Sequence, residues 1–259
     1  MQAYPNLNWR VDGGVGYLEI DRRPKRNALT NKMYEGIAGT LHEADRVEDV
    51  RCIVIRGIGG IFTAGSDVSE FLDKSIADRE AHFDHVAQLL LAPARISKPV
   101  VAAVDGLALG GGTGLVSACD LVLASEDAVF GIPEIHVGIW PCTLLPMLAR
   151  AVGPRRAYEM ALLGERMDAE QARAAGLVTR VVPKERLEAE LARWTAQIVA
   201  ASPQTVRTGK RACREAEGLE VEKATFFMAR QMAINSASKD AMEGISAFLF
   251  KRPPRTGGP

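Results

Sequence analysis

The chain has no excess charge of either sign: Lys plus Arg and Asp plus Glu each number 32 in its 259 residues. A molecule so balanced has no global field to draw in nucleic acid or an anionic membrane, so an anionic ligand has to be held by local charges. Cysteine is sparse. Cys52, Cys119, Cys142 and Cys213 show neither C-x-x-C nor metal-ligand spacing, and three of them sit in apolar stretches, which points to reduced thiols in a cytoplasmic protein. The histidines His42, His82, His85 and His136 show no ligand spacing either. No stretch supplies about 18 uncharged apolar residues, and residues 1–10 lack the basic start and apolar run of a secretory signal. Disulfide framework, metal centre and membrane span are therefore not expected.

What is present is an ordinary globular composition, 47% hydrophobic and 25% charged, which suffices for one sizeable core with an appended segment. Val15 to Ile20 reads as a strand, closed by the charged turn from Asp21 to Arg26. Thr30 then caps a helix whose apolar residues Met33, Ile37, Leu41 and Ala44 recur at helical spacing, with Leu29 and Tyr34 placed to staple its start. Cys52 to Ile55 and Val100 to Val104 are short continuous apolar runs, as in strands buried on both faces of a parallel sheet. Between them Phe83, Val86, Leu90 and Ile96 mark another helix, stopped by Lys98 and Pro99. Leu121 to Ala124 and Val129 to Phe130 add two strands. Beyond Pro146 the pattern is helical apart from Val178 to Val182, and Ser202-Pro203 opens a further helix as cap and first-turn proline. The reading is an α/β core over residues 1–195 and a helical segment over 196–259, with the tail from Arg252 to Pro259 expected to lack order.

Two glycine-rich loops follow buried strands, where ligands bind in open α/β sheets. In the second, Gly110-Gly111-Gly112 opens a helix, so backbone N–H groups without intrahelical partners and the helix dipole would face developing negative charge. The first, Ala64-Gly65-Ser66-Asp67, could bring another such N–H. Glycines after strands can also simply turn the chain. A dinucleotide fingerprint fails on spacing, since Leu115 stands at the third glycine position when counted from Gly110. A serine nucleophile at Ser66 lacks both G-x-S-x-G and a histidine placed to activate it. Asp67 and Asp120 follow small-residue turns and read as structural.

The ordered segments Arg23 to Leu29, Ile61 to Asp67, Asp105 to Gly112 and Phe130 to Glu134 resemble the signature motifs of the crotonase (enoyl-CoA hydratase/isomerase) family. Gly164 to Val178 and Glu243 to Phe248 resemble its C-terminal landmarks, so the likeness spans nearly the whole chain. The resemblance implies a spiral of ββα units with a C-terminal helical trimerisation segment, assembled as a homotrimer or a dimer of trimers. It also implies an acyl-CoA thioester substrate, no metal, and no cofactor besides the coenzyme A of the substrate. Carried over by position, the enolate oxygen would be held by the N–H groups of Ser66 and Gly111, beside Gly65 and Gly110. Ala64 would contact the adenine ring through its backbone. Lys25 and Arg26 would lie near the CoA phosphates, and Lys251 in a tail that reaches a CoA site. Solvated surface is the alternative reading of these three cations.

The resemblance fails at one carboxylate. The family's hydratases use two glutamates to position water and move its proton. Here the position three residues after Gly111 is Gly114, the second is Glu134, and Trp140 to Pro146 replace a glycine-rich stretch. One carboxylate can still move a proton from C2 to C4, as in the isomerase branch of the family. Ile132, Pro133, Ile135 and Trp140 would raise the Glu134 pKa by desolvation. A hydratase using another group, and a CoA-binding protein with little catalysis, remain the alternatives.

Overall fold

The computed structural model describes residues 2–253. The chain runs through β1 (Leu7–Asp12), β2 (Val15–Ile20), α1 (Asn31–Asp45), β3 (Cys52–Gly57), α2 (Ile76–Arg95), β4 (Val100–Val104), β5 (Leu107–Leu109) and α3 (Gly111–Ala118). It continues with β6 (Leu121–Ser125), β7 (Val129–Gly131), α4 (Leu145–Val152), α5 (Pro154–Leu163), β8 (Arg166–Asp168), α6 (Ala169–Ala174), β9 (Arg180–Val182) and α7 (Leu187–Ala200). The last helices are α8 (Pro203–Ala216), α9 (Val221–Ser236) and α10 (Lys239–Leu249).

One sheet has the order β1-β2-β3-β4-β6-β9, antiparallel only at β1/β2, and a second has the order β5-β7-β8. This is the α/β spiral anticipated from the sequence. The apolar run of β4 is buried along its whole length because helices cover one face of the sheet and α7 the other. Two cores result: a large one holding α1, α2 and α3, and a smaller one where Leu187, Leu191 and Trp194 of α7 meet Val54, Val101 and Leu123. The helix α7 continues across residue 195, and Ile198 and Val199 still pack on that core, so by packing the change comes at Ser202. There the Ser202 hydroxyl caps α8 by accepting from Thr205 N–H at 3.1 Å. Asp120 ties α8 back to the core, accepting from Val100 N–H, Lys210 and Arg214 at 2.8, 2.6 and 3.1 Å, in keeping with a structural role.

Two local expectations are corrected. Residues 7–12 form an edge strand that the sequence reading passed over, since most of their side chains are exposed and carry no burial pattern. Arg252, placed in the tail expected to lack order, is held by an ion pair to Glu243 and by its N–H to Ala247 O. Residues 254–259 of that tail lie outside the described residues. Among the described residues no helix is long and apolar enough to cross a membrane.

Candidate active site

Two loops meet under the carboxyl ends of β3 and β5. The segment 63–67 is drawn against β5 by Thr63 N–H to Leu107 O and Leu109 N–H to Thr63 O, at 2.9 and 3.0 Å. On its other side Leu29 N–H donates to Gly65 O and Asp67 N–H to Leu29 O, both at 2.8 Å. Ser66 N–H points away from Leu29 and donates to no group among the described residues. Gly111 is the first residue of α3, and its N–H is likewise unpartnered among them. Thr113 fixes that helix start, its hydroxyl donating to Ala108 O at 2.6 Å and lying 2.9 Å from Gly131 O.

Glycine is required at two points here. Gly65 and Gly110 have φ of +97° and +52°, in the left-handed half of the map. A Cβ on Gly110 would also lie 2.8 Å from Glu134 Oε1, so the bare backbone is what lets the carboxylate approach this loop.

The two loops and residues 133–144 enclose a cavity of about 620 Å³. Ala64, Gly65, Ser66, Gly110, Gly111, Glu134 and Trp140, all anticipated from the sequence, line it together. Its walls are apolar: Val68, Phe71, Phe83, Val86, Ile139 and Leu144. Glu134 is the only acidic side chain among the described lining residues, and no lysine or arginine is among them. Burial pushes the Glu134 carboxyl above the usual carboxylate range, and its Oε2 is buried with no hydrogen-bond partner among the described residues. Such an unpaired buried carboxylate is costly to a fold and typical of a working acid or base. Glu134 stands in a short 3₁₀ turn, Pro133–Val137, just beyond β7. The turn also brings His136, which shows no ligand spacing in the sequence, to the cavity wall.

Lys25, Arg26 and Lys251 do not line the cavity. Lys25 and Arg26 are exposed and form no ion pair among the described residues. Their loop nevertheless adjoins the site, because Ala64 N–H donates to Arg26 O at 3.0 Å. Lys251 follows the end of α10, exposed, with φ of +50°. Asp67 accepts from Arg22 at 2.7 Å and caps the turn at Ser69, which accounts for it structurally.

The profile of the enoyl-CoA hydratase/isomerase family matches residues 10–258. The chain belongs to the enoyl-CoA hydratase/isomerase family. Among its relatives, the mitochondrial enoyl-CoA hydratase domain-containing protein 3 of Mus musculus is 34% identical, the match covering 98% of this chain and 85% of that protein. The 2,3-dehydroadipyl-CoA hydratase of Escherichia coli is also 34% identical, over 92% of each chain. The crystal structure of an enoyl-CoA hydratase of Mycobacterium smegmatis superposes with a TM-score of 0.94 at 34% identity, covering 97% of this chain and 99% of that one. This member of the family is therefore an enzyme of the hydratase/isomerase type.

Two residues shape the site in ways the sequence reading did not assign to them individually. Leu144 closes the place where a second carboxylate would enter, since a Cβ on Gly114 would lie 2.8 Å from Leu144 Cδ2 and 3.2 Å from Leu90 Cδ2. Tyr34, read as a packing residue, places its hydroxyl 2.7 Å from Ser66 Oγ. Neither contact has a local signature in the sequence.

Proposed function

We propose that this enzyme shifts the double bond of a 3-enoyl-CoA to position 2, with Glu134 as the sole proton carrier. The observation that carries the reading is the lone carboxylate in an apolar cavity, together with Leu144 in the space a second would need. In the reaction, Ser66 N–H and Gly111 N–H receive the thioester oxygen. Glu134 removes a proton from C2, and the electron pair moves into the thioester to give a dienolate whose charge those donors stabilise. The protonated Glu134 then returns the proton to C4, which leaves the 2-enoyl thioester and a carboxylate ready for another cycle. A carboxyl with a raised pKa suits both halves, since it is a stronger base when ionised and still releases its proton.

The acyl group in this reading is neutral. A terminal carboxylate would be buried beside Glu134 with no lysine or arginine among the described wall residues, at a cost of several kcal/mol. Lys25 and Arg26 are assigned to the CoA phosphates, and Lys251 to a tail that reaches a CoA site. Because Ala64 N–H is already engaged by Arg26 O, only its carbonyl is left for the adenine ring. The apolar faces of α9 and α10 support assembly as a homotrimer or a dimer of trimers.

Hydration is the second reading, favoured by the hydratase names of the relatives. A panel of 2-enoyl- and 3-enoyl-CoA substrates in ¹⁸O-water, followed by mass spectrometry, separates the two. The expected outcome is conversion of 3-enoyl chains without uptake of ¹⁸O, abolished by Glu134→Gln while acyl-CoA affinity stays within a few-fold. Rapid ¹⁸O incorporation at C3 of crotonyl-CoA would overturn the single-carboxylate mechanism.

A further inference from the structure

Tyr34 lies in the first turn of α1 and is fully buried, yet its hydroxyl is in contact with both donor loops. On one side it is 2.7 Å from Ser66 Oγ, its only hydrogen-bond partner among the described residues. On the other it faces Gly111, where an added Cβ would lie 2.4 Å from the phenol oxygen. One hydrogen bond therefore joins the two hydroxyls, and it is the only one the buried phenol makes among the described residues.

The residue is locked in place. Its ring meets the His82 imidazole edge-on at 5.6 Å, and His82 also packs on Phe71 and Phe83. The His82 Nδ1 lies 2.5 Å from the Asn31 carboxamide, and burial lowers its pKa to about 4, so the imidazole stays neutral. Burial likewise holds the phenol pKa above its ordinary value, against the opposing effect of the Ser66 hydrogen bond, so the hydroxyl keeps its proton across the working pH range.

We infer that Tyr34 is a positioning residue: its hydroxyl sets the separation of the Ser66 and Gly111 N–H groups by tying the Ser66 side chain on one side and abutting the Gly111 backbone on the other. The inference rests on the reading of these two N–H groups as the enolate-binding donors. Ser66 is held on its backbone side by Leu29, five residues before Tyr34, so one short stretch of chain grips the first loop twice. Without the hydroxyl, the loop keeps the Leu29 bonds but loses its spacing from α3. Stabilisation by paired donors depends on placement to a fraction of an ångström, so the loss falls on the transition state and spares ground-state binding.

The test uses Tyr34→Phe, which keeps the ring and removes only the oxygen, with Ser66→Ala and the double variant. Turnover, acyl-CoA affinity by calorimetry, and the infrared stretch of a ¹³C-labelled thioester carbonyl in the bound state are measured for each. Tyr34→Phe is expected to lower kcat on the order of 10-fold, keep affinity within about two-fold, and return the bound carbonyl band toward its solution position. The double variant should be no worse than the more damaged single one, since both remove the same bond. Wild-type kcat and an unmoved carbonyl band in Tyr34→Phe would overturn the inference alone. A wild-type enzyme whose bound carbonyl shows no shift from solution would overturn the two-donor site and the inference with it.

Discussion

Glu134 concentrates the conflict between folding and function in one side chain. Its carboxylate is buried against bare backbone at Gly110, and among the described residues one oxygen is unpaired and no neighbouring cation offsets the desolvation that raises its pKa. The unfolded chain releases this proton near pH ~4.3, and the folded chain only at higher pH. Between those two values the native state holds more protons than the unfolded state. Stability from this group therefore falls as pH rises, and the loss is complete above the folded pKa. Glu134→Gln cannot ionise. The variant should thus be more stable than wild type at neutral pH, with the difference closing as pH falls below about 4, where both side chains are neutral. Urea denaturation between pH 4 and pH 8 reads this directly, and a variant no more stable than wild type at pH 7 would show that the carboxylate is solvated after all.

At the scale of elements, α3 and the segment leading into α4 have become complementary. A carboxylate at position 114 would start from a Cβ already in contact with Leu144 and Leu90, so overpacking of about 1–3 kcal/mol is expected for Gly114→Glu. The single variant should lose thermal stability and gain no hydration of crotonyl-CoA, whereas Gly114→Glu with Leu144→Ala should recover stability and admit water. Hydration by the single variant would show that Leu144 does not guard that space. Much at this scale was legible in the sequence. The strands β2 and β4, the Thr30 and Ser202 caps and the meeting of both glycine loops with Glu134 follow from local pattern and motif. What escaped depends on partners remote in the chain. Leu144 opposes a glycine 30 positions earlier, and the phenol of Tyr34 matters only because Ser66 lies against it, whereas in sequence it reads as a helix staple. The edge strand β1 escaped for the opposite reason, its side chains being too exposed to leave a pattern.

At the scale of the whole molecule, the last two helices are unfinished as a soluble surface. No residue of α9 is buried, and Val221, Phe226, Met232 and Ile234 on α9 stand exposed beside Met242, Ile245, Phe248 and Leu249 on α10. Phe248 is 83% exposed, although α10 turns Ala247 inward. Isolated apolar side chains on a surface need no account, but eight large exposed ones on two successive helices are the kind of surface that marks a contact with another chain. Further copies of this chain would bury it, each fully covered phenylalanine contributing about 1.5–3 kcal/mol. The expectation is a stable assembly of three or six chains, with a melting temperature that rises with protein concentration. Phe226→Glu with Phe248→Glu should dissociate it, because burying a carboxylate in each contact costs more than the lost apolar area alone. Sedimentation equilibrium decides the point: the paired variant should move to the mass of one chain, 28.0 kDa, while a wild-type protein already at that mass at micromolar concentration would remove the argument for assembly through this face.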